Sequence, residues 1–285
     1  MARLLGLKVA VEINGVLIEG YQNKPKLHRY LTEKYKSILQ KASFVAASKG
    51  YALLMKKYFG VAEEKLTYLT LGYHKLEHNH TRDESRRLLG LDLSINYLLF
   101  VGNVNKYQGL QYIIETIADY RHDFLQDNIR LIVVGDGAYL KDLQDMVVAN
   151  DMETLITFKG RVDKATVQLY LSTDAIGLSP FDFARGDEGS ISGLKTYDYL
   201  FHKMPIITSK MDDASDMILA KGFGDVIYDY TSEEIWTKVK TMVTDKRKNE
   251  IKDVYTSNYD WIVKTYNWSR RFSKISKSIE ESLEQ

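Results

Sequence analysis

The sequence predicts an α/β protein with a complete, doubly wound parallel sheet in its C-terminal two-thirds and a smaller, partial α/β domain before it. Three observations predict this. From about residue 96 onward, short runs that are apolar throughout alternate with helix-period segments, as expected for strands buried on both faces by crossover helices. The first 95 residues carry only three strand-like runs, half of such a sheet. The chain has 285 residues, 45% hydrophobic and 27% charged, enough for two cores and incompatible with a disordered or fibrous chain.

The N-terminal strands are read at Lys8–Ile13, Ser43–Ser48 and Lys65–Leu71. Between them a helix is expected over His28–Lys41, where Leu31, Tyr35, Ile38 and Leu39 recur at helical spacing, and another near Tyr51–Tyr58. Residues 72–94 are polar, carry the charged helix TRDESRRLLGL, and read as a connector. The C-terminal strands are Tyr97–Gly102, Ile129–Gly135, Leu155–Gly160, Ala175–Phe181, Met204–Ser209 and Asp225–Tyr228. Helix-period segments lie between them at Leu110–Tyr120, Tyr139–Val148, Lys164–Leu171, Leu194–His202 and Ile235–Val243. Asp163 is placed to cap the helix after it, and Thr231 with Glu234 fits a capping box. The expected division is a partial domain at 1–75, a linker at 76–95, the sheet domain at 96–263, and a C-terminal helix at 264–285 that packs back toward the N-terminal domain.

Charge and composition remove several function classes. The formal net charge is +1, with 16 Lys/Arg against 8 Asp/Glu in residues 1–90 and 23 against 30 in the remainder. That split marks two units in different surroundings and does not mark a nucleic-acid binder. The basic stretch HRYLTEKYKSILQK is either a solvated helix face opposite a core stripe or a surface leaning on anionic lipid headgroups. No run approaches the roughly 20 apolar residues of a membrane span. The opening MARLLGLKVAVEINGVLI is broken by Lys8 and Glu12, so it reads as a strand and not a signal peptide. The absence of cysteine excludes disulfides and thiolate chemistry and makes a cytoplasmic setting the default. His78 and His80 sit in a polar linker with no third metal ligand in view, and no metal is expected. The sequons Asn79-His80-Thr81 and Asn267-Trp268-Ser269 follow no secretion signal.

Several segments, in order, carry a family resemblance. SGLKTYDYLFHKMPIITS (Ser192–Ser209) resembles the donor-site signature of family-4-like retaining glycosyltransferases, in which SPLKLYEYMACGKPIVAS is a common pattern. FVGNVNKYQGLQYIIET, VVGDGAYLKDLQDMV, ITFKGRVDKATVQLYLSTDAIGLSPF and YNWSRRFSKISKSIEE are similar to further parts of that family's donor domain and C-terminal helix. VAVEINGVLIEG, ASFVAASKGYALLMKKYFGVAEEKLTYLTLGYH and RRLLGLD resemble the later acceptor-domain strands and the interdomain linker. The resemblance spans nearly the whole chain. It implies a GT-B fold and transfer of a hexose from a UDP- or GDP-sugar to a glycan or lipid-linked acceptor, with retention, no obligatory metal and no cofactor.

The residues themselves agree with a nucleotide-sugar site. Ligands of open α/β sheets sit beyond the carboxyl ends of the strands, where these segments fall. Ser192 and Gly193 precede a helix, so the amides of Gly193 and Leu194 can face a diphosphate at the positive helix end, and Lys195 adds a full charge. Asp198, one turn further, can accept both hydroxyls of a ribose; by resemblance it stands where the family usually has Glu. Gly160, Arg161 and Val162 resemble the turn that reads the base through backbone groups. Asp187 and Glu188 are candidates for sugar hydroxyls, although their spacing to Asp198 differs from the family's. Gly135-Asp136-Gly137 lacks the third glycine of a dinucleotide fingerprint, which argues against a nicotinamide enzyme.

Two departures from the pattern matter. After Gly102, an Arg and a Lys hold the diphosphate in the family; Asn103 and Gln108 stand there here. Losing both cations should cost roughly several kcal/mol unless Lys106 or Arg185 replaces them. The resemblance also enters at the later acceptor-domain strands, so the glycine-rich loop and reaction-centre histidine expected before them are missing. No residue is therefore assigned as catalytic. An incomplete sheet exposes an edge and an apolar face, which suggests a second chain completing the acceptor domain, or self-association. The alternative is a catalytically inactive subunit or relic that binds a nucleotide-sugar or a protein partner.

Overall fold

The computed structural model describes residues 9–13, 24–69, 72–73, 80–182 and 193–284. These residues form two compact units, one from those up to 73 with 264–284, the other from 80–182 with 193–263.

The first unit runs β1 (Ala10–Ile13), α1 (Pro25–Lys41), β2 (Phe44–Ala47), α2 (Lys49–Phe59) and β3 (Leu66–Tyr68), with a three-stranded parallel sheet in the order β1-β2-β3. All four residues of β2 are buried, as a central strand covered on both faces requires. On one face Val45 and Ala47 meet Leu39 of α1 and Ala52, Met55 and Phe59 of α2. On the other, Phe44, Ala46 and Leu69 meet Ile275 of the C-terminal helix, Trp268–Glu284. That helix is held by the pairing of buried Arg271 with Glu12 of β1, and by a 2.8 Å contact between the Thr67 and Ser278 hydroxyls. The α1 stripe is narrower than its periodicity implied. Leu31, Tyr35 and Leu39 face the core, and Ile38 is exposed. Positions four apart stack on one line of a helix, and Ile38 lies a full residue step off that line.

The second unit continues with α3 (Arg82–Leu88), β4 (Asn96–Val101), α4 (Leu110–Asp119), α5 (Arg121–Gln126), β5 (Ile129–Val134), α6 (Leu140–Ala149), β6 (Ile156–Gly160), α7 (Lys164–Leu171), β7 (Ile176–Ser179), α8 (Leu194–Phe201), β8 (Ile206–Ser209), α9 (Ser215–Lys221), β9 (Gly224–Ile227), α10 (Ser232–Met242) and α11 (Asp245–Thr265). Its six strands are all parallel in the order β6-β5-β4-β7-β8-β9. The direction of winding reverses between β4 and β7, which makes that gap the natural ligand crevice. Residues 80–95, which the sequence presents as a connector, pack within this unit. Thr81 and Glu84 cap α3 reciprocally, and buried Arg86 donates to the carbonyls of Thr173 and Ile95, both at 2.9 Å. α11 was not legible from periodicity because only Ile251, Tyr255 and Ile262 of its 21 residues are buried.

The two expected caps form to different extents. Asp163 accepts from the Thr166 amide at 2.7 Å, as its position suggested. Thr231 accepts from the Glu234 amide at 3.2 Å, but the Glu234 carboxylate turns to the amides of Tyr228, Asp229 and Tyr230 at 2.8–3.2 Å. Half of the expected box forms, because three consecutive amides at the end of β9 offer the carboxylate more donors than the single N-cap amide.

One side chain joins the two halves of the sheet. The buried Tyr199 hydroxyl of α8 accepts from the Val101 amide at 3.1 Å, and lies 3.2 Å from the carbonyls of Leu99 and Leu178. Gly177 makes room for it, since a Cβ there would run into the Tyr199 ring. Removing this hydroxyl by Tyr199→Phe is expected to lower stability by about 1–3 kcal/mol in urea denaturation; an unchanged midpoint would mean that the clamp contributes nothing.

Candidate functional site

The carboxyl ends of β4, β5 and β6 enclose a cleft of about 450 Å³, lined by Gly102, Asn103, Gly135, Gly137, Arg161 and Val162 among others. Its walls are backbone packed on backbone. Gly102 and Gly135 both have φ of +143°, and a Cβ on Gly135 would collide with the Gly102 carbonyl. Amide bonds hold the turns together: Val104 to Asp136 O at 2.9 Å and Gly135 to Gly160 O at 2.8 Å. The Gly135-Asp136-Gly137 turn, uninformative in sequence, is thus the middle wall of the cleft that Gly102, Asn103, Arg161 and Val162 share.

At the switch point, α8 begins with Gly193 as its N-cap. Gly193 is required by contact and not by conformation. Its φ is −78°, but a Cβ would lie 2.6 Å from the Phe181 ring and 3.0 Å from Asp212 Oδ2. Lys195, only 8% exposed, bonds Gln108 Oε1 and lies between the rings of Phe100 and Phe181, each centroid 4.4 Å from Nζ. A Cβ on Gly102 would be 3.3 Å from Lys195 Cε. The structure therefore brings Gly102, Gln108 and Lys195 together. Burial pushes the Lys195 ammonium down to about 7, against the pull of the Asp212 carboxylate. Lys106 is exposed on the short turn before α4 and is not among the residues that line this cleft. Leu194 is exposed beside the helix start, and Asp198 is half-buried one turn on. Ser192, Arg185, Asp187 and Glu188, with His78, lie outside the described residues.

Asp212 is the site residue that sequence reasoning missed. Its carboxylate is buried under the first turn of α8 and takes donors from three elements. Ser179 Oγ of β7 lies at 3.2 Å, Thr208 Oγ1 of β8 at 3.1 Å, and Thr196 of α8 closer still; the other oxygen accepts from the Ala214 amide at 2.9 Å. Burial pushes Asp212 up to about 6, opposed by the Thr196, Ala214 and Thr208 donors. No local pattern announces it, because its partners are hydroxyls from segments far apart in sequence. Asp212→Ala removes an acceptor shared by three buried hydroxyls, leaving them only the contacts of Thr208 with Ser179 O and of Thr196 with Ser179 Oγ, and is expected to lower stability by about 3 kcal/mol in urea denaturation. Exposed Asp216→Ala, one turn away, should change it by less than about 0.5 kcal/mol.

Residues 81–258 match the family described as glycosyl transferases group 1. Among curated proteins, an uncharacterized glycosyltransferase of Methanocaldococcus jannaschii is 24% identical over 249 residues, covering 86% of this chain and 60% of the relative. Alpha-monoglucosyldiacylglycerol synthase of Streptococcus pneumoniae is 23% identical over 145 residues, 51% of this chain and 31% of the relative. The chain thus spans less than two thirds of either curated relative. Among solved structures, WaaG, a glycosyltransferase involved in lipopolysaccharide biosynthesis, superposes with a TM-score of 0.69 at 17% identity, covering 90% of this chain and 71% of its own. Anabaena HepE in complex with UDP-glucose gives 0.77 at 13% identity, covering 98% and 74%. Sucrose-phosphate synthase from Thermosynechococcus elongatus gives 0.77 at 14%, covering 98% and 69%. At these identities the structures speak for the α/β fold of GT-B type. With the family match covering more than half of its length, the chain belongs to the group 1 glycosyltransferases, a family of transferases.

Proposed function

We propose that this chain binds a UDP- or GDP-hexose and transfers the sugar, with retention and without an obligatory metal or cofactor, to a glycan or lipid-linked acceptor. The observation that carries the reading is the convergence of the Gly102 turn, Gln108 and Lys195 on the start of α8, beside a cleft floored by backbone. The first amides of a helix have no partners within it, so those of Gly193 and Leu194, with Ser192 and the Lys195 ammonium, would take the diphosphate. Asn103 faces the same cleft. Asp198 would hold the ribose, Gly160 to Val162 the base, and Asp187 or Glu188 the sugar. The N-terminal unit would contribute the acceptor side, completed by a second chain or by self-association. Rate would come chiefly from positioning the two substrates.

The relatives support the substrate class: one curated relative is named for a glucosylated diacylglycerol, and the HepE structure holds UDP-glucose. No helix among the described residues is long and apolar enough to cross a membrane. Leu27, Tyr30 and Ile38 of lysine-rich α1 are exposed, which supports peripheral contact with a membrane surface; we place that contact at the inner, cytoplasmic face. A second reading is favoured by one feature. Asn103 and Gln108 replace both expected cations, and Gln108 occupies Lys195; a nucleotide-sugar-binding subunit without turnover would tolerate that.

Calorimetric titration with UDP, GDP and their common sugars tests both readings. Asp198→Ala is expected to weaken binding about tenfold, a loss of ~1.4 kcal/mol. Absence of binding to every nucleotide would remove the proposal, whereas binding without nucleoside diphosphate release across glycan and lipid acceptors would select the second reading. The Lys195 cation is the form that holds phosphate, and burial has lowered its protonation midpoint. Affinity for UDP-glucose should therefore be highest on the acid side and fall as pH rises through about 7. Lys195→Met should bind weakly and lose that dependence.

A further inference from the structure

At the opposite end of the same sheet, the beginnings of β4 and β7 enclose a second cleft of about 250 Å³. Arg82 and Arg86 of α3, Lys248 and Lys252 of α11, and the carboxylates of Asp174 and Asp245 line it. Four cations thus face two carboxylates. Arg82 Nε and Lys252 Nζ share one of them, at 4.0 and 3.8 Å from Asp174 Oδ2. Among the described residues, no carboxylate lies within ion-pair distance of Arg86 or Lys248. Lys248 Nζ instead donates to Asn96 Oδ1 at 2.6 Å.

Arg86 is the stronger signal. Its side chain is 2% exposed, yet it is matched only by neutral groups. Nε donates to Thr173 O at 2.9 Å, Nη1 to Ile95 O at 2.9 Å and to the carbonyls of Asp92 and Leu93 at 3.3 Å, and the guanidinium lies over the Tyr97 ring. Nη2 has no acceptor among the described residues. A buried guanidinium is costly without a counter-charge, and one with a donor to spare is poised for a bidentate oxyanion. Burial lowers the protonation midpoints of both Arg86 and Lys248; Arg82 adds to the effect on each, and Asp174 opposes it on each, joined by Asp245 at Lys248.

We propose that this cleft binds a small dianionic oxyanion, a phosphate or phosphomonoester, held by Arg86, Lys248 and Arg82 with Lys252 at the rim. The excess of two positive charges matches one phosphate dianion. The site is distinct from the donor cleft: Asn96 and Tyr97 open this one and Gly102 and Asn103 line the other, six residues of strand and about 20 Å apart. It does not depend on the donor-site reading.

The test is calorimetry and thermal melting with inorganic phosphate and with glucose 6-phosphate, against chloride at matched ionic strength. The expected result is saturable binding with a rise in Tm, weakened at least about tenfold in Lys248→Met and in Lys252→Glu, and retained in Lys195→Met. Lys252 is 60% exposed, so its replacement folds even if Lys248→Met does not. Tighter binding of the sugar phosphate assigns the site to a phosphomonoester, and equal or tighter binding of inorganic phosphate assigns it to the free ion. Absence of saturable binding overturns the proposal, as does binding that survives both α11 substitutions.

Discussion

The C-terminal unit depends on the satisfaction of polar side chains that α8 carries into the protein interior. A helix packed on the ends of β4, β7 and β8 would ordinarily present an apolar face, but this one buries Lys195, Thr196 and Tyr199. Each buried polar group must find a partner or cost free energy. Tyr199 finds the backbone of β4 and β7, Thr196 finds Asp212, and Lys195 finds Gln108 and two aromatic faces. These bonds fix where the helix begins, and its beginning is the part of it that can hold an anion.

The same constraint explains the glycines of the site. Gly102 and Gly135 allow two strand-ends to touch through their backbones, Gly177 admits the Tyr199 ring, and Gly193 yields space to Phe181 and Asp212. Each is small because something specific occupies the volume a side chain would need. The result is a cleft whose floor is rigid amide groups. Preorganised amide groups of this kind can meet an anionic ligand with little reorganisation.

A parallel sheet also separates its two ends. Every carboxyl end points one way, so the turns there collect at the crevice where winding reverses. The amino ends collect other elements, here α3 and α11, and with them a surplus of positive charge that the strands do not neutralise. Two clefts on one sheet thus arise from topology, without similarity between the motifs that line them.

The sequence alone determined the fold class, the strands and the run from Gly193 to Asp198, because apolar runs, helical spacing and a contiguous motif are properties of neighbouring residues. It placed the strands, eight of the nine to within two residues of where they form, and it placed Asp163 as a cap. Only the tertiary structure decided what those residues touch. Asp212 draws on hydroxyls from positions 179, 196 and 208, Gln108 reaches across 87 residues to Lys195, and Arg86 turns Nε and Nη1 to carbonyls from two loops. Such partners converge through packing of distant segments, and a buried charge carries no local mark that distinguishes it from an exposed one.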